Sequence, residues 1–198
     1  MNLPNKLTLI RIILVPFFVL SLLIAFPHHY MVSLIIFIAA SITDCLDGQI
    51  ARKRNMITDF GKFADPLADK ILVISALVCF VELGIISAWP VIIVLFREFT
   101  VTSIRLIASS KGKVVAANIW GKMKTVSQMI AIILVMVLNY SYDLLQSSFN
   151  TLIDPKLIES IAPIFTGISA VAIWISTVFA VISGVIYIMD NKEFISDR

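Results

Sequence analysis

Charge is scarce in this chain. Of 198 residues, 15% are Asp, Glu, Lys or Arg, against 59% apolar, and the mean hydropathy is +0.97. A water-soluble domain of this length has no use for so much apolar surface, so the composition predicts an all-α, polytopic membrane protein. Cysteine is nearly missing: Cys45 and Cys79 are the two present. The order of spans puts them at opposite faces of a bilayer, which excludes a disulfide between them. Cys45 reads as a small apolar residue. There is no internal repeat, no low-complexity tract and no break in composition, so residues 1–198 are expected to form one membrane domain. The net charge of +3 is small, and no nucleic-acid partner is expected. A cleavage site is also lacking. Lys6 and Arg11 precede an apolar run from Ile12 to Phe26, as in a signal peptide, but Phe26, Pro27, His28, His29 and Tyr30 do not suit cleavage. The run is expected to stay as a first span.

What is present is a series of about six apolar windows of roughly twenty residues each. They run near Leu7–Phe26, Met31–Arg52, Gly61 to Leu83–Gly84, Trp89–Ser109, Ile119 to Asn139–Tyr142, and Ala162–Met189. The segment Ser141–Ser160 is the longest polar connection, with room for a short surface helix. Basic residues fall in alternate connections: Lys6 and Arg11, then Arg52, Lys53, Arg54 and Lys62, then Lys111, Lys113, Lys122 and Lys124, and finally Lys192 and Arg198. The other connections hold His28 and His29, Glu82, and the acidic Asp143, Asp154 and Glu159 with Lys156. The positive-inside rule then predicts that both termini face the cytoplasm. His28 and His29 read as loop residues on the far side, without partners for a metal. Small and weakly polar residues in the last two spans read as helix packing.

Four carboxylates break the apolar pattern where the second span ends and the third begins. Asp44 and Asp47 are three residues apart, and Asp65 and Asp69 are four apart. Either spacing sets a pair on one helix face. If the two helices are neighbours, four acids converge in a partly dehydrated site, and they need compensating charge. Divalent cations are the natural answer, and oxygen-only ligands favour Mg²⁺ or Mn²⁺ over zinc. Two such ions ~3.5–4 Å apart suit an in-line displacement at phosphorus, with one carboxylate taking the proton of the attacking hydroxyl. Gly48 and Ala51 leave room for a bulky group against the helix, and Arg52 can meet a phosphate bidentately. Pro66 fits only near a helix start. The spacing fails an EF-hand loop, and the glycines fail a Walker A loop, whose first glycine would fall at Ala116. A solvated helix cap would not need two acid pairs with these small residues at fixed offsets.

The run D-x2-D-G-x2-A-R-x8-G-x3-D-x3-D, from Asp44 to Asp69 through Gly61, resembles the signature of the CDP-alcohol phosphotransferase family at every fixed position. The resemblance implies a six-helix membrane enzyme, usually a homodimer, that displaces CMP from a CDP-linked lipid with an alcohol. It implies that Asp44, Asp47, Asp65 and Asp69 hold two metals, that Asp69 is the general base, and that Gly48, Ala51 and Arg52, with Thr43 beside them, lie against the CDP moiety. The likeness extends to Asn2-Leu3-Pro4-Asn5-Lys6-Leu7-Thr8, Arg11, Pro16-Phe17-Phe18, Arg97-Glu98, Arg105, and Gly121-Lys122-Met123-Lys124-Thr125 with Gln128. These are similar to the branch whose donor is CDP-diacylglycerol and whose acceptor is sn-glycerol 3-phosphate. That branch implies an enzyme of the inner, cytoplasmic membrane with its site facing the cytoplasm.

An acceptor with a phosphate of its own needs cations beyond those that meet the donor. Arg105, Lys122 and Lys124 are expected at the cytoplasmic ends of the fourth and fifth spans, with Arg97 deeper in the fourth. A helix N-terminus there adds N–H groups for an anion. The lysines serve topology and anionic headgroups as readily as a substrate. Arg97 beside Glu98 is also compatible with a structural arrangement, since adjacent helical residues point about 100° apart and need not pair. Other acceptors (inositol phosphate, serine, phosphatidylglycerol) would use the same chemistry. A divalent-cation transporter would explain the acids but not Gly48, Ala51 and Arg52.

Overall fold

The computed structural model describes the backbone of residues 3–54, 59–112, 119–148 and 155–194. Side chains are described within those ranges except at 3–5, 44–54, 59–66, 69, 148, 155 and 194. Asp44, Asp47, Gly48, Ala51, Arg52, Asp65 and Asp69 therefore have a backbone position here, and the expectation that their side chains converge lies outside the described residues.

Six helices follow one another: α1 Leu3–Leu23, α2 His29–Arg54, α3 Asp59–Glu82, α4 Ala88–Ser110, α5 Ile119–Ser148 and α6 Pro155–Asp190. A single 3-10 turn, Lys192–Phe194, closes the described chain, and no strand occurs among the described residues. The fold is the expected all-α membrane bundle. At 1.5 Å per residue, the 21 residues of α1 reach about 30 Å, the thickness of a hydrocarbon core. By length and composition α1, α5 and α6 can each cross a membrane, and α2 is apolar over His29–Thr43. In α4 the apolar sequence is interrupted by Arg97, Glu98 and Arg105.

The interior is built from one stripe of each helix. α1 packs on α2 and α3, α2 also on α5, α3 on α4 and α5, and both α4 and α5 on α6. Phe18, Leu22, Phe37, Leu72, Ala76, Leu77, Phe80, Val94, Ile132, Val135, Met136 and Ile173 fill the core. The Phe18 and Phe37 rings meet at 5.7 Å between centroids. The opposite stripes carry exposed Phe17, Leu20, Trp89, Phe96, Phe99, Leu106, Trp174 and Val178. Apolar side chains turned outward on every long helix are the pattern expected where the solvent is lipid.

The turns explain the order of the helices. Gly84, at φ 68, ends α3 in the left-handed conformation that lacks a Cβ penalty, while the Ile85 N–H donates back to the Phe80 carbonyl (2.9 Å). That reversal starts α4 within a few residues. His28, at φ 62, turns the chain between α1 and α2, and His29 already belongs to α2.

The connection expected over Ser141–Ser160 is shorter than its polarity suggests. α5 runs on to Ser148 and α6 starts at Pro155. In the added turns of α6 Ile158 is buried, and just inside them Tyr142 and Phe165 meet with ring centroids at 6.0 Å. Polar residues there cover the ends of two helices; they do not break them.

Candidate functional site

The two acid pairs sit on consecutive antiparallel helices. Asp44 and Asp47 fall in the second half of α2, and Asp65 and Asp69 in the first half of α3. Both pairs therefore lie at the same end of the bundle, at register positions that keep each pair within one turn. Thr43, just before the first pair, is half-buried and donates its hydroxyl to the Ala40 carbonyl at 2.7 Å. That leaves its oxygen lone pairs as acceptors.

One residue beyond Asp69, the chain enters a charged cluster that the sequence did not reveal as a unit. Its centre is Glu98 on α4. The Arg97 Nη1 and Lys124 Nζ atoms both meet Glu98 Oε1 at 2.7 Å, and Lys70 Nζ lies 3.9 Å from Oε2. Lys70 also donates to the Thr102 hydroxyl, which in turn donates to the Glu98 carbonyl at 2.7 Å. The Arg97 Nη2 donates to Ser183 Oγ on α6 at 2.7 Å. Three helices thus meet at one carboxylate, and Arg97 ties in a fourth through Ser183. Arg97, Glu98 and Lys124 retain only 12%, 11% and 10% side-chain exposure.

Local sequence explains why the cluster can form. Arg97 and Glu98 are adjacent and diverge around α4, but the long guanidinium stem curls back to the carboxylate. It can do so because Gly184 of α6 leaves the space: a Cβ there would stand 2.9 Å from Arg97 Cγ. Lys124 comes from the second turn of α5, and Gln128 lies one turn further along the same helix.

The four basic residues expected to serve the acceptor are distributed unevenly. Lys124 and Arg97 are in the cluster. Arg105 is exposed, two turns beyond Glu98 on α4, with its guanidinium carbon 5.9 Å from the centre of the Tyr187 ring. That is a cation–π distance, and it ties Arg105 to the small apolar group of Val101, Ile104 and Tyr187. Lys122 is exposed near the start of α5. Sequence reading missed Lys70, although a lysine inside a span directly after an acid of the motif was a signal. It also missed Glu98 as the common counter-ion. Arg11, expected only as a basic flank and part of the likeness, is 1% exposed on α1, sharing its face with buried Thr8 and Val15.

The opposite end of the bundle is different in kind. A cavity of about 310 Å³ opens there between His29, Tyr30, Asn139, Tyr142, Asp143 and Gln146. His28 beside it pairs through Nδ1 with the Tyr140 hydroxyl at 3.2 Å. Among the described residues no three His, Cys, Asp or Glu side chains gather as a metal site would require.

Known proteins resemble the whole chain. Residues 1–182 match the model of the CDP-alcohol phosphatidyltransferase family. A CDP-diacylglycerol–glycerol-3-phosphate 3-phosphatidyltransferase of Bacillus subtilis is 40% identical over 97% of this chain and 96% of its own length. A protein of the same name from Rickettsia bellii is 33% identical over 98% of this chain and 97% of its own. A probable phosphatidylglycerophosphate synthase of Mycobacterium tuberculosis is 44% identical across 66% of this chain and 64% of its own. With its helices, its acid pairs and these likenesses in agreement, the chain belongs to the CDP-alcohol phosphatidyltransferase family.

Proposed function

We propose that this protein transfers the phosphatidyl group of CDP-diacylglycerol to the 1-hydroxyl of sn-glycerol 3-phosphate, yielding phosphatidylglycerophosphate and CMP. One observation carries the reading. An unbroken aspartate signature over residues 44–69 lies in a chain that aligns almost end to end with relatives named for that reaction.

The donor set of the signature fits divalent metal. It is made of carboxylate oxygens only, two pairs at one end of two successive helices, which suits hard cations. Asp44, Asp47, Asp65 and Asp69 would hold two Mg²⁺ or Mn²⁺ ions, which supply charge neutralisation for the pyrophosphate and the departing CMP. Thr43, Gly48, Ala51 and Arg52 lie against the CDP-lipid, the small residues giving the nucleotide room and the arginine meeting a phosphate. Asp69 takes the proton of the acceptor hydroxyl. The hydroxyl oxygen bonds to the lipid-side phosphorus as the bond from that phosphorus to CMP breaks. Positioning and charge neutralisation provide most of the acceleration. Lys124, with Lys122 and Arg105 at the same end of the bundle, meets the acceptor phosphate, and Arg97 backs this group from α4. The enzyme works as a homodimer in the cytoplasmic membrane, with the site open to the cytoplasm.

The decisive assay gives purified protein labelled CDP-diacylglycerol with each acceptor in turn: sn-glycerol 3-phosphate, inositol phosphate, serine and phosphatidylglycerol. Phosphatidylglycerophosphate forms with the first, the reaction stops with a chelator, and Mg²⁺ or Mn²⁺ restores it. Product from another acceptor alone would overturn the choice of substrate. Asp69→Asn is expected to lose roughly three or more orders of magnitude in kcat, as loss of a general base and metal ligand together implies. Near-normal turnover in that variant would remove the base assignment.

A further inference from the structure

The Glu98 cluster is rich in donors and poor in acceptors. Arg97 and Lys124 both meet one oxygen of the Glu98 carboxylate at 2.7 Å, with Lys70 3.9 Å from the other oxygen, so two cations in close contact share a single anion. An ammonium has three donors, and Lys124 spends one on Glu98. Arg97 Nε and Gln128 Nε2 are buried without a hydrogen-bond acceptor. Buried donors of this kind are costly unless something arrives to satisfy them. A phosphate monoester carries about −1.5 to −2 charge and three acceptor oxygens, the acceptors that these donors lack.

Without Glu98, Arg97 and Lys124 would repel one another in a nearly closed site, and Lys124 would lose the carboxylate that fixes it. With Glu98 present, the Lys124 ammonium is fixed by a charge-assisted bond before any substrate arrives. On the same helix, Thr102 links the Glu98 backbone carbonyl to Lys70. Lys70 follows Asp69 directly in α3, so the same network connects the acceptor side of the site to the helix that carries two of the signature aspartates.

We propose that Glu98 is a positioning residue for the acceptor: it sets the Lys124 ammonium, together with Arg97, as a cationic cradle for the phosphate of sn-glycerol 3-phosphate, without touching the reacting atoms. The proposal rests on the acceptor-site reading given above. It assigns Glu98 a role in acceptor affinity rather than in the chemical step or in holding the donor.

The test is a double-mutant cycle read in steady-state kinetics, with the wild type, Glu98→Gln, Lys124→Met and the double variant. Glu98→Gln raises the KM for sn-glycerol 3-phosphate roughly tenfold while kcat and the KM for CDP-diacylglycerol change by less than about threefold, the signature of lost uniform binding. The double variant is no worse in acceptor KM than Lys124→Met alone, because the two residues act as one unit. Glu98→Asp, which keeps the carboxylate, recovers part of the affinity, and it also decides the matter should Glu98→Gln fail to fold. An unchanged acceptor KM in Glu98→Gln beside a raised one in Lys124→Met overturns the role of Glu98 alone, as does multiplication of the two effects. An unchanged acceptor KM in Lys124→Met overturns the acceptor site itself, and this inference with it.

Discussion

At the scale of single residues, glycine decides whether α4 and α6 can meet. A Cβ on Gly184 would stand 2.9 Å from Arg97 Cγ and 3.8 Å from Arg97 Cβ. Those atoms are near the backbone of α4 and cannot swing away without moving the guanidinium from Glu98 and Ser183. Gly184→Ala therefore destabilises the protein by about 1–3 kcal/mol, the range for overpacking a well-filled interior. Gly167, on the same helix, has nothing within 4 Å of its would-be Cβ. Gly167→Ala gains up to ~1 kcal/mol from helix propensity. Thermal unfolding in one detergent should move in opposite directions for the two variants. A rise in the midpoint for Gly184→Ala would show that α4 and α6 are not closely packed at this point. The same residues mark the limit of sequence reading. The signature of residues 44–69 was legible because its spacing alone defines it. The Glu98 cluster was not, because Lys70, Glu98, Lys124 and Ser183 come from four different helices, and no spacing along the chain encodes which faces meet.

At the scale of elements, the apolar windows located all six helices, and their ends shifted by only a few residues except where tertiary contact extended them. α6 starts before its apolar stretch with Ile158 buried, next to the Tyr142–Phe165 contact between the two helices, tertiary packing that hydropathy does not register. Between α1 and α2 the packing includes a polar fastening. Ser21 Oγ and Ser33 Oγ lie 2.9 Å apart, buried, and each hydroxyl also has a carbonyl of its own helix, Phe18 and His29 respectively. That back-bonding means neither serine is stranded when the other is removed. Ser33→Ala is thus expected to cost only about 0.6 kcal/mol, typical of a hydrogen bond between membrane helices. Ser33→Leu, at a position with no exposure, forces the helices apart and costs about 1–3 kcal/mol. Unfolding of both variants by a denaturing detergent separates the two cases. Equal losses would mean that the hydroxyl pair, and not the close approach of α1 to α2, holds that contact together.

At the scale of the whole molecule, six hydrophobic helices admit many arrangements, and neither composition nor periodicity chooses α6 as the common partner of α4 and α5. Orientation in the bilayer is a different matter, since it depends on charge and charge is visible in the sequence. The end of the bundle that carries Lys111, Lys122, Lys124 and the acid pairs is the basic one, and the end with His28, His29, Glu82, Asp143 and Glu159 is not. In the orientation we propose, six crossings keep both termini on the basic side, which the positive-inside rule assigns to the cytoplasm. Ser87 and Ser110 flank α4 at its two ends and both are exposed. Its 23 residues hold them about 35 Å apart, so in the proposed orientation the bilayer lies between them. With Cys45 and Cys79 replaced, Ser87→Cys should react with a membrane-impermeant maleimide in right-side-out vesicles, and Ser110→Cys only in inside-out ones. The reverse pattern would put the aspartates and the Glu98 cluster on the outer face, away from any cytoplasmic supply of a nucleotide-activated lipid, and the proposed reaction would lose its topology.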